Sequence, residues 1–349
     1  MKNTDIQKIE NPGFKENVFD IRWRVTTFCN YQCDFCIQGT REEHLRQAQG
    51  ESRQIRSRIC DEIIKLVESL KGYHTVNINL IGGELTILPD FPQILDKLAS
   101  CRFPGKIRFY ITTNFSQDAG YFCRLCGIIQ KKPVWKRRRL FIAASFYSAY
   151  TDIQTFSGKL MEVYSYANPF RHRHGKLSEL CRRLRNTVDL SAGIPILNDE
   201  DYAVFTEMRE TFKNTGVSIN PILIRNYETN VLPETTKKLL DSADKRIKVT
   251  TGNGQEFMYQ NIQALGAALE GTDSFCPRGY LCDAGIHSIW IDAFGHVNRC
   301  PAIGSRMHLG NILNEGFHLL DSPEICTSDH CSCSQYGKIE KPSDMPCKE

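Results

Sequence analysis

The stretch Cys29-Asn30-Tyr31-Gln32-Cys33-Asp34-Phe35-Cys36 places three cysteines at C-x3-C-x2-C directly after an alternating apolar run, Phe19 to Val25. The alternation predicts a strand over Asp20–Thr26, so the three thiols fall on the loop that leaves it. Thiolates suit zinc and iron–sulfur clusters alike. A 4Fe–4S cluster usually takes four of them, yet no further cysteine occurs until Cys60. Three local ligands would leave one iron open to bind something else. A zinc site and three inert cysteines are the competing readings.

Downstream of this loop, strand and helix patterns alternate. Strands are expected at Val76–Ile81, Lys106–Thr112, Leu140–Ser145, Val188–Leu197 and Val217–Ile224. Helices are expected at Ile55–Lys71, Phe91–Ser100, Ala119–Ile129, Ile153–Tyr166 and Asp199–Lys213, with an extra one over Leu177–Asn186. Six strand–helix units in a row imply a parallel α/β sheet with right-handed crossovers. In such architectures chemistry gathers at the C-terminal ends of the strands. Three motifs stand there: the cysteine loop, Gly82-Gly83-Glu84 and Thr112-Thr113-Asn114.

The chain has 349 residues, 41% hydrophobic and 24% charged, with a net charge of +4, so it carries no global signature of nucleic-acid binding. No apolar secretion signal opens it and no run of 18 apolar residues occurs. A cytoplasmic protein with no membrane partner is therefore expected, and fifteen cysteines in such a chain read as metal ligands rather than disulfides.

The three-cysteine spacing, with Phe35 just before the last cysteine, resembles the radical S-adenosylmethionine (SAM) enzymes. The resemblance implies a partial (β/α)6 TIM-like barrel over residues 18–225. It implies a 4Fe–4S cluster on Cys29, Cys33 and Cys36 whose open iron is chelated by SAM. An electron from the cluster then cleaves SAM to a 5′-deoxyadenosyl radical. Gly82, Gly83 and Glu84 would hold the amino group of SAM, and Asn114 its ribose or carboxylate end. Ser145 is a similar polar candidate at the end of its strand. Ile194 and Ile196 would wall the adenine, with ordinary core packing as the alternative, and Phe35 would pack on the cofactor.

After Ile224 the pattern changes. Residues 226–269 read as a polar, turn-rich linker or insertion over Asn226–Glu256 and a helix over Met258–Leu269. Residues 270–349 are cysteine-dense. Cys282 and Cys300 flank Ile289–Val297, which reads as a hairpin turning at Gly295. This C-x12-G-x4-C arrangement resembles the opening of SPASM and twitch domains, small C-terminal auxiliary-cluster domains found behind radical SAM cores. The resemblance implies at least one auxiliary 4Fe–4S cluster, its remaining ligands drawn from Cys326, Cys331 and Cys333. The spacing C-x4-C-x-C, then Cys347, departs from the full SPASM pattern, so one auxiliary cluster is better supported than two. Tetrahedral zinc fits the same cysteines loosely. Cys276 and Cys347 could serve a second cluster, or Cys276 could give a hydrogen atom to a product radical.

Two substrate classes compete: a peptide or protein to be crosslinked, epimerised or otherwise matured, and a small molecule such as a sugar, aminoglycoside or nucleotide. The residues before Cys29 are too few for a fused leader-binding domain, which weakens the peptide reading. A reductant such as flavodoxin or ferredoxin is the implied electron donor. A zinc- or iron–sulfur-bearing binding protein is the non-enzymatic alternative. Two basic stretches, Lys131–Arg139 and Arg171–His174, read first as a solvated loop and a surface turn.

Overall fold

The computed structural model describes residues 1–12, 17–36, 41–132, 137–168, 187–223, 247–259, 265–266, 268–269, 275–301, 308–314, 316–329, 331 and 337–342. The expected helix Leu177–Asn186, the basic turn Arg171–His174, Cys333 and Cys347 lie outside them. The chain forms two compact units. One holds Trp23–Arg225 with Asp292–Phe294; the other holds Met1–Arg22, Asn226–Ile291 and Gly295–Glu349.

Chain order opens with β1 (Ile6–Glu10), which pairs with C-terminal strands described below. The first unit is built from the end of β2 (Val18–Thr26) from Trp23 onward, α1 (Arg41–Gln47), α2 (Arg53–Ser69), β3 (Thr75–Gly82), α3 (Phe91–Ser100) and β4 (Lys106–Thr113). It continues through α4 (Ala119–Gln130), β5 (Arg138–Ser145), α5 (Ile153–Ala167), β6 (Val188–Ile196), α6 (Asp199–Phe212) and β7 (Ser218–Leu223). The strands stand in the order β2-β3-β4-β5-β6-β7, and the registers from β3 to β7 are parallel. This is the open, six-unit α/β architecture that the alternating pattern predicts.

The helices form where capping residues and apolar spacing agree. Ser52, Asp118, Asp152 and Asn198 each accept a backbone N–H of the first turn that follows. α2 buries Ile59, Ile63 and Val67, one face of a 3.6-residue repeat. Arg56 of α2 reaches the carboxylate of Asp90, the residue before α3, through two hydrogen bonds of 3.0 and 2.8 Å, both side chains buried. The caps leave the strand-to-helix loops on one rim of the sheet, and that rim carries the candidate site.

Within the basic stretch Lys131–Arg139, Lys131 and Arg137 are exposed, residues 133–136 lie outside the described ones, and Arg138 departs from the solvated reading. Arg138 opens β5 and is 1% exposed. Its guanidinium donates to the carbonyls of Ala99 and Cys101, closing the C-terminal end of α3.

The second unit contains strands where a linker was expected. β8 (Ile247–Thr251) and β9 (Glu256–Tyr259) form a hairpin that turns through Gly254, whose φ of +81° suits glycine. Ile247, Val249 and Thr251 are buried and alternate with polar residues, a period hidden by the Gly- and Thr-rich surroundings. Met258 and Tyr259 therefore lie in a strand; of the expected helix, Leu265 and Gly266 are helical. The remaining strands are β10 (Leu281–Cys282), β11 (Ser288–Ile291), β12 (His296–Asn298), β13 (His308–Asn311), β14 (Gly316–Phe317), β15 (Glu324–Ile325) and β16 (Lys338–Glu340). An antiparallel sheet runs β15-β10-β16-β1-β8-β9, so the two ends of the chain share one sheet. β11 and β12 form the expected hairpin, with Gly295 at φ +85°. β13 and β14 extend it antiparallel.

Candidate functional site

The tip of β3 meets the stem of the cysteine loop at backbone contact. Gly83 N–H donates to the Thr26 carbonyl at 3.0 Å, and Glu84 N–H to the Phe28 carbonyl at 2.8 Å. A Cβ on Gly82 would stand 2.4 Å from the Thr26 carbonyl oxygen, and one on Gly83 2.2 Å from that of Phe28. Only glycine permits this approach at either position. The other side of the stem is clamped by Glu51, whose carboxylate accepts from Thr26 Oγ1, Thr27 N–H and Thr27 Oγ1 at 2.5–2.7 Å.

Beyond the stem, neighbouring strand tips hold the loop itself. Asn114 donates its side-chain amide to Asn30 at 2.8 Å and accepts from Ser116 N–H. Tyr31 stacks on Tyr150 with ring centroids 3.9 Å apart, and Tyr150 Oη accepts the Gln32 N–H. Phe35 meets Tyr147 edge to face at 5.0 Å. The loop thus borrows its shape from residues after β4 and β5.

Cys29, Cys33 and Cys36 are all half-buried on this loop. Burial, more than the neighbouring charges, raises the pKa of Cys29. Burial, followed by repulsion from Cys29 and Cys36, pushes that of Cys33 up to about 12. The three thiols are near enough to repel one another as thiolates. Among the described residues, no three His, Cys, Asp or Glu side chains are already gathered into a metal-ligand set. The donors nevertheless fit a soft, cationic iron–sulfur centre: three thiols on one loop, disfavoured as anions until a cation neutralises them.

Glu84, the residue expected at the amino group of SAM, has its carboxylate engaged by the protein itself in this structure. It is 0% exposed. Its carboxylate accepts from Thr86 N–H, Thr86 Oγ1, Thr113 Oγ1 and Asn114 N–H at 2.5–2.9 Å. Burial raises its pKa, against the pull of those hydrogen bonds. It is an internal brace that ties β3 to the end of β4. Ile196 is likewise 0% exposed and Ile194 1% exposed, both on β6. Ser145 is half-buried at the end of β5, in register with Gly193.

In the second unit, Cys282, Cys300 and Cys326 belong to one buried apolar cluster with Ile6, Val249 and Phe275, and Cys331 packs against it. Cys282 on β10 pairs in register with Glu324, two residues before Cys326. Arg299, 3% exposed, binds these segments together. Its guanidinium donates to the carbonyls of Ala284 at 2.9 Å, Cys282 at 2.7 Å and Glu324 at 3.3 Å. Cys276 is fixed by Asn3, whose amide both accepts its N–H and donates to its carbonyl at 3.1 Å. These four soft donors lie in or against one buried cluster, though among the described residues no three of them are gathered into a metal-ligand set. Neither Glu51, Tyr147, Tyr150 nor Arg299 announces itself in the sequence; each is polar or aromatic in a turn, and only the fold reveals its partner.

Residues 23–128 match the family described as Radical SAM superfamily. Among curated proteins, the chain is 23% identical over 313 residues to the mycofactocin maturase MftC of Mycobacterium tuberculosis, covering 85% of this chain and 68% of that protein. It is 30% identical over 112 residues to the GTP 3′,8-cyclase of Edwardsiella ictaluri, covering 31% of each. The chain spans about a third of the length of the cyclases it matches. Among solved structures, Streptococcus suis SuiB bound to S-adenosylmethionine aligns with a TM-score of 0.44 and 16% identity, over 85% of this chain and 64% of that one. BtrN in complex with AdoMet and 2-DOIA aligns at 0.39 and 10%, over 86% and 81%.

Two outcomes follow from this geometry. Gly83→Ala drives a methyl group into the Phe28 carbonyl and must displace the stem of the loop. Iron retained after anaerobic reconstitution should fall by more than half and the melting temperature should drop; unchanged iron and melting would show that the stem does not depend on this contact. Arg299→Leu leaves buried carbonyls without their donor, at about 1–3 kcal/mol each. It should lower thermal stability and halve thiol protection at Cys282 and Cys300 in alkylation mapping, and equal protection would contradict the stapling role.

Proposed function

We propose that the protein is a radical SAM enzyme that reductively cleaves S-adenosylmethionine and abstracts a hydrogen atom from a peptide or protein substrate. The observation that carries the reading is the three-thiol loop, set at the end of β2 and braced by the tips of β3, β4 and β5. A 4Fe–4S cluster bound by Cys29, Cys33 and Cys36 would supply the electron for cleavage. The chain's own residues do the positioning. Gly82 and Gly83 seat the stem and offer backbone groups to the amino end of SAM. Glu84 and Glu51 hold that seat from inside. Asn114 and Ser145 lie on the same rim as candidates for the polar end of SAM, and Phe35 borders it.

The peptide reading is supported by the maturase relative, whose match runs through both units. The cyclase matches cover only about a third of the chain, so a nucleotide or another small molecule is the second reading. Cys282, Cys300, Cys326 and Cys331, with Cys333 outside the described residues, are the proposed auxiliary-cluster ligands. Cys276 is the proposed hydrogen donor. No helix among the described residues is long and apolar enough to cross a membrane. We place the enzyme in the cytoplasm, with a flavodoxin or ferredoxin as reductant.

Replacing Cys29, Cys33 and Cys36 together by Ala tests the reading. After reconstitution and dithionite reduction, 5′-deoxyadenosine should fall to background while the far-ultraviolet circular dichroism stays unchanged. Formation at the wild-type rate would remove the loop from the chemistry.

A further inference from the structure

The parallel sheet carries fully buried apolar residues on one face and half-buried residues on the other. The strands from β3 to β7 are parallel, and right-handed crossovers carry the helices that connect them to one side. Ile107, Phe109, Ile111, Leu140 and Ile142 are buried on the first face. Between them, Arg108, Tyr110, Arg139 and Phe141 are half-buried on the other. A parallel sheet ordinarily reads apolar on both faces. Guanidinium groups on this one need a reason.

Arg108 of β4 and Arg139 of β5 are direct register partners, so two cations stand side by side on adjacent strands. Arg139 donates to Asp189 of β6 at 2.7 Å and lies 5.1 Å from the ring centre of Phe141. Its Nε is buried and has no hydrogen-bond partner. Arg108 makes no hydrogen bond, ion pair or ring contact among the described residues. Arg108 and Arg139 are thus like charges opposite one another on adjacent strands, an unfavourable arrangement until an anion joins them. Beside them, Tyr110 and Phe141 stack with centroids 4.5 Å apart.

We propose that Arg108 and Arg139 form an anion site on the half-buried face of the sheet, which receives a carboxylate or phosphate group of the substrate. Guanidinium forks match both groups bidentately. Calling the ligand a substrate rests on the radical SAM reading; the site itself rests on the sheet.

The test is calorimetric titration of the full chain, with and without reconstituted clusters, using pyrophosphate and an acetylated triglutamate amide as separate probes. At least one probe should bind below about 1 mM, with Arg108→Gln weakening it by about tenfold or more and Arg108→Lys by about threefold or more, since lysine lacks the fork. Arg102→Gln, on the exposed turn after α3, should change nothing. Pyrophosphate binding alone supports a phosphate-bearing substrate, and triglutamate binding alone supports an acidic peptide. Absence of binding by both probes, unaltered binding in Arg108→Gln, or an equal loss in Arg102→Gln overturns the proposal. If Arg108→Gln loses its melting transition, Arg108→Lys carries the test, and unaltered binding there is the overturning result. Failure of the radical SAM reading leaves a different trace: no 5′-deoxyadenosine from the reconstituted protein, with anion binding intact.

Discussion

The approach of the Thr26–Phe28 backbone to Gly82 and Gly83 is the constraint on which the site depends. Two strands that end side by side would normally carry their side chains apart. Here the absence of side chains at both glycines lets the chain leaving β2 lie directly against the tip of β3. The hydrogen bonds from Gly83 and Glu84 then fix the direction in which the chain enters the cysteine loop. Cys29 follows Phe28 immediately, so the first thiol is placed by backbone geometry.

That arrangement also decides how the polar residues around it are used. Glu84 and Glu51 look, by residue type, like groups for a ligand. Each instead spends its carboxylate on the protein, Glu84 on the β4 tip and Glu51 on Thr26 and Thr27. A carboxylate buried with several donors is a rigid support, because moving it would strand all of them at once. Asn114 is similar, joining Asn30 to Ser116. The rim is thus fixed before any cofactor is considered, as preorganised sites require.

The strand–helix alternation of the first unit was readable because apolar periodicity and capping residues agree. Phe91–Ser100 matches its observed helix at both ends, and most other elements shift by a residue or two. The cysteine loop and the Gly295 hairpin were readable because their spacing is local. The partners of β1 and β16 were not, because a five-residue strand at one end of the chain and a three-residue strand at the other show no sign of each other in sequence. The tail after Leu320 looks too polar to hold itself in place, yet β15 and β16 dock it through backbone pairing and Ile339 is fully buried. The surroundings of Glu84 were not legible for a related reason: a motif supplies a residue's neighbours along the chain but not the donors that surround it in space.

In the second unit, Arg299 plays the part that the glycines play in the first, bringing segments distant in sequence to one place by satisfying their carbonyls. The central claim remains that the cysteine loop's stem is built before metal arrives. Hydrogen exchange of the metal-free protein, resolved at the amides of Thr27, Gly83, Glu84 and Asn114, tests it most directly. These amides should be protected to the same degree as those inside β3 and should gain little on reconstitution. Exchange at the rate of an unstructured peptide, with protection gained only after iron is added, would contradict it.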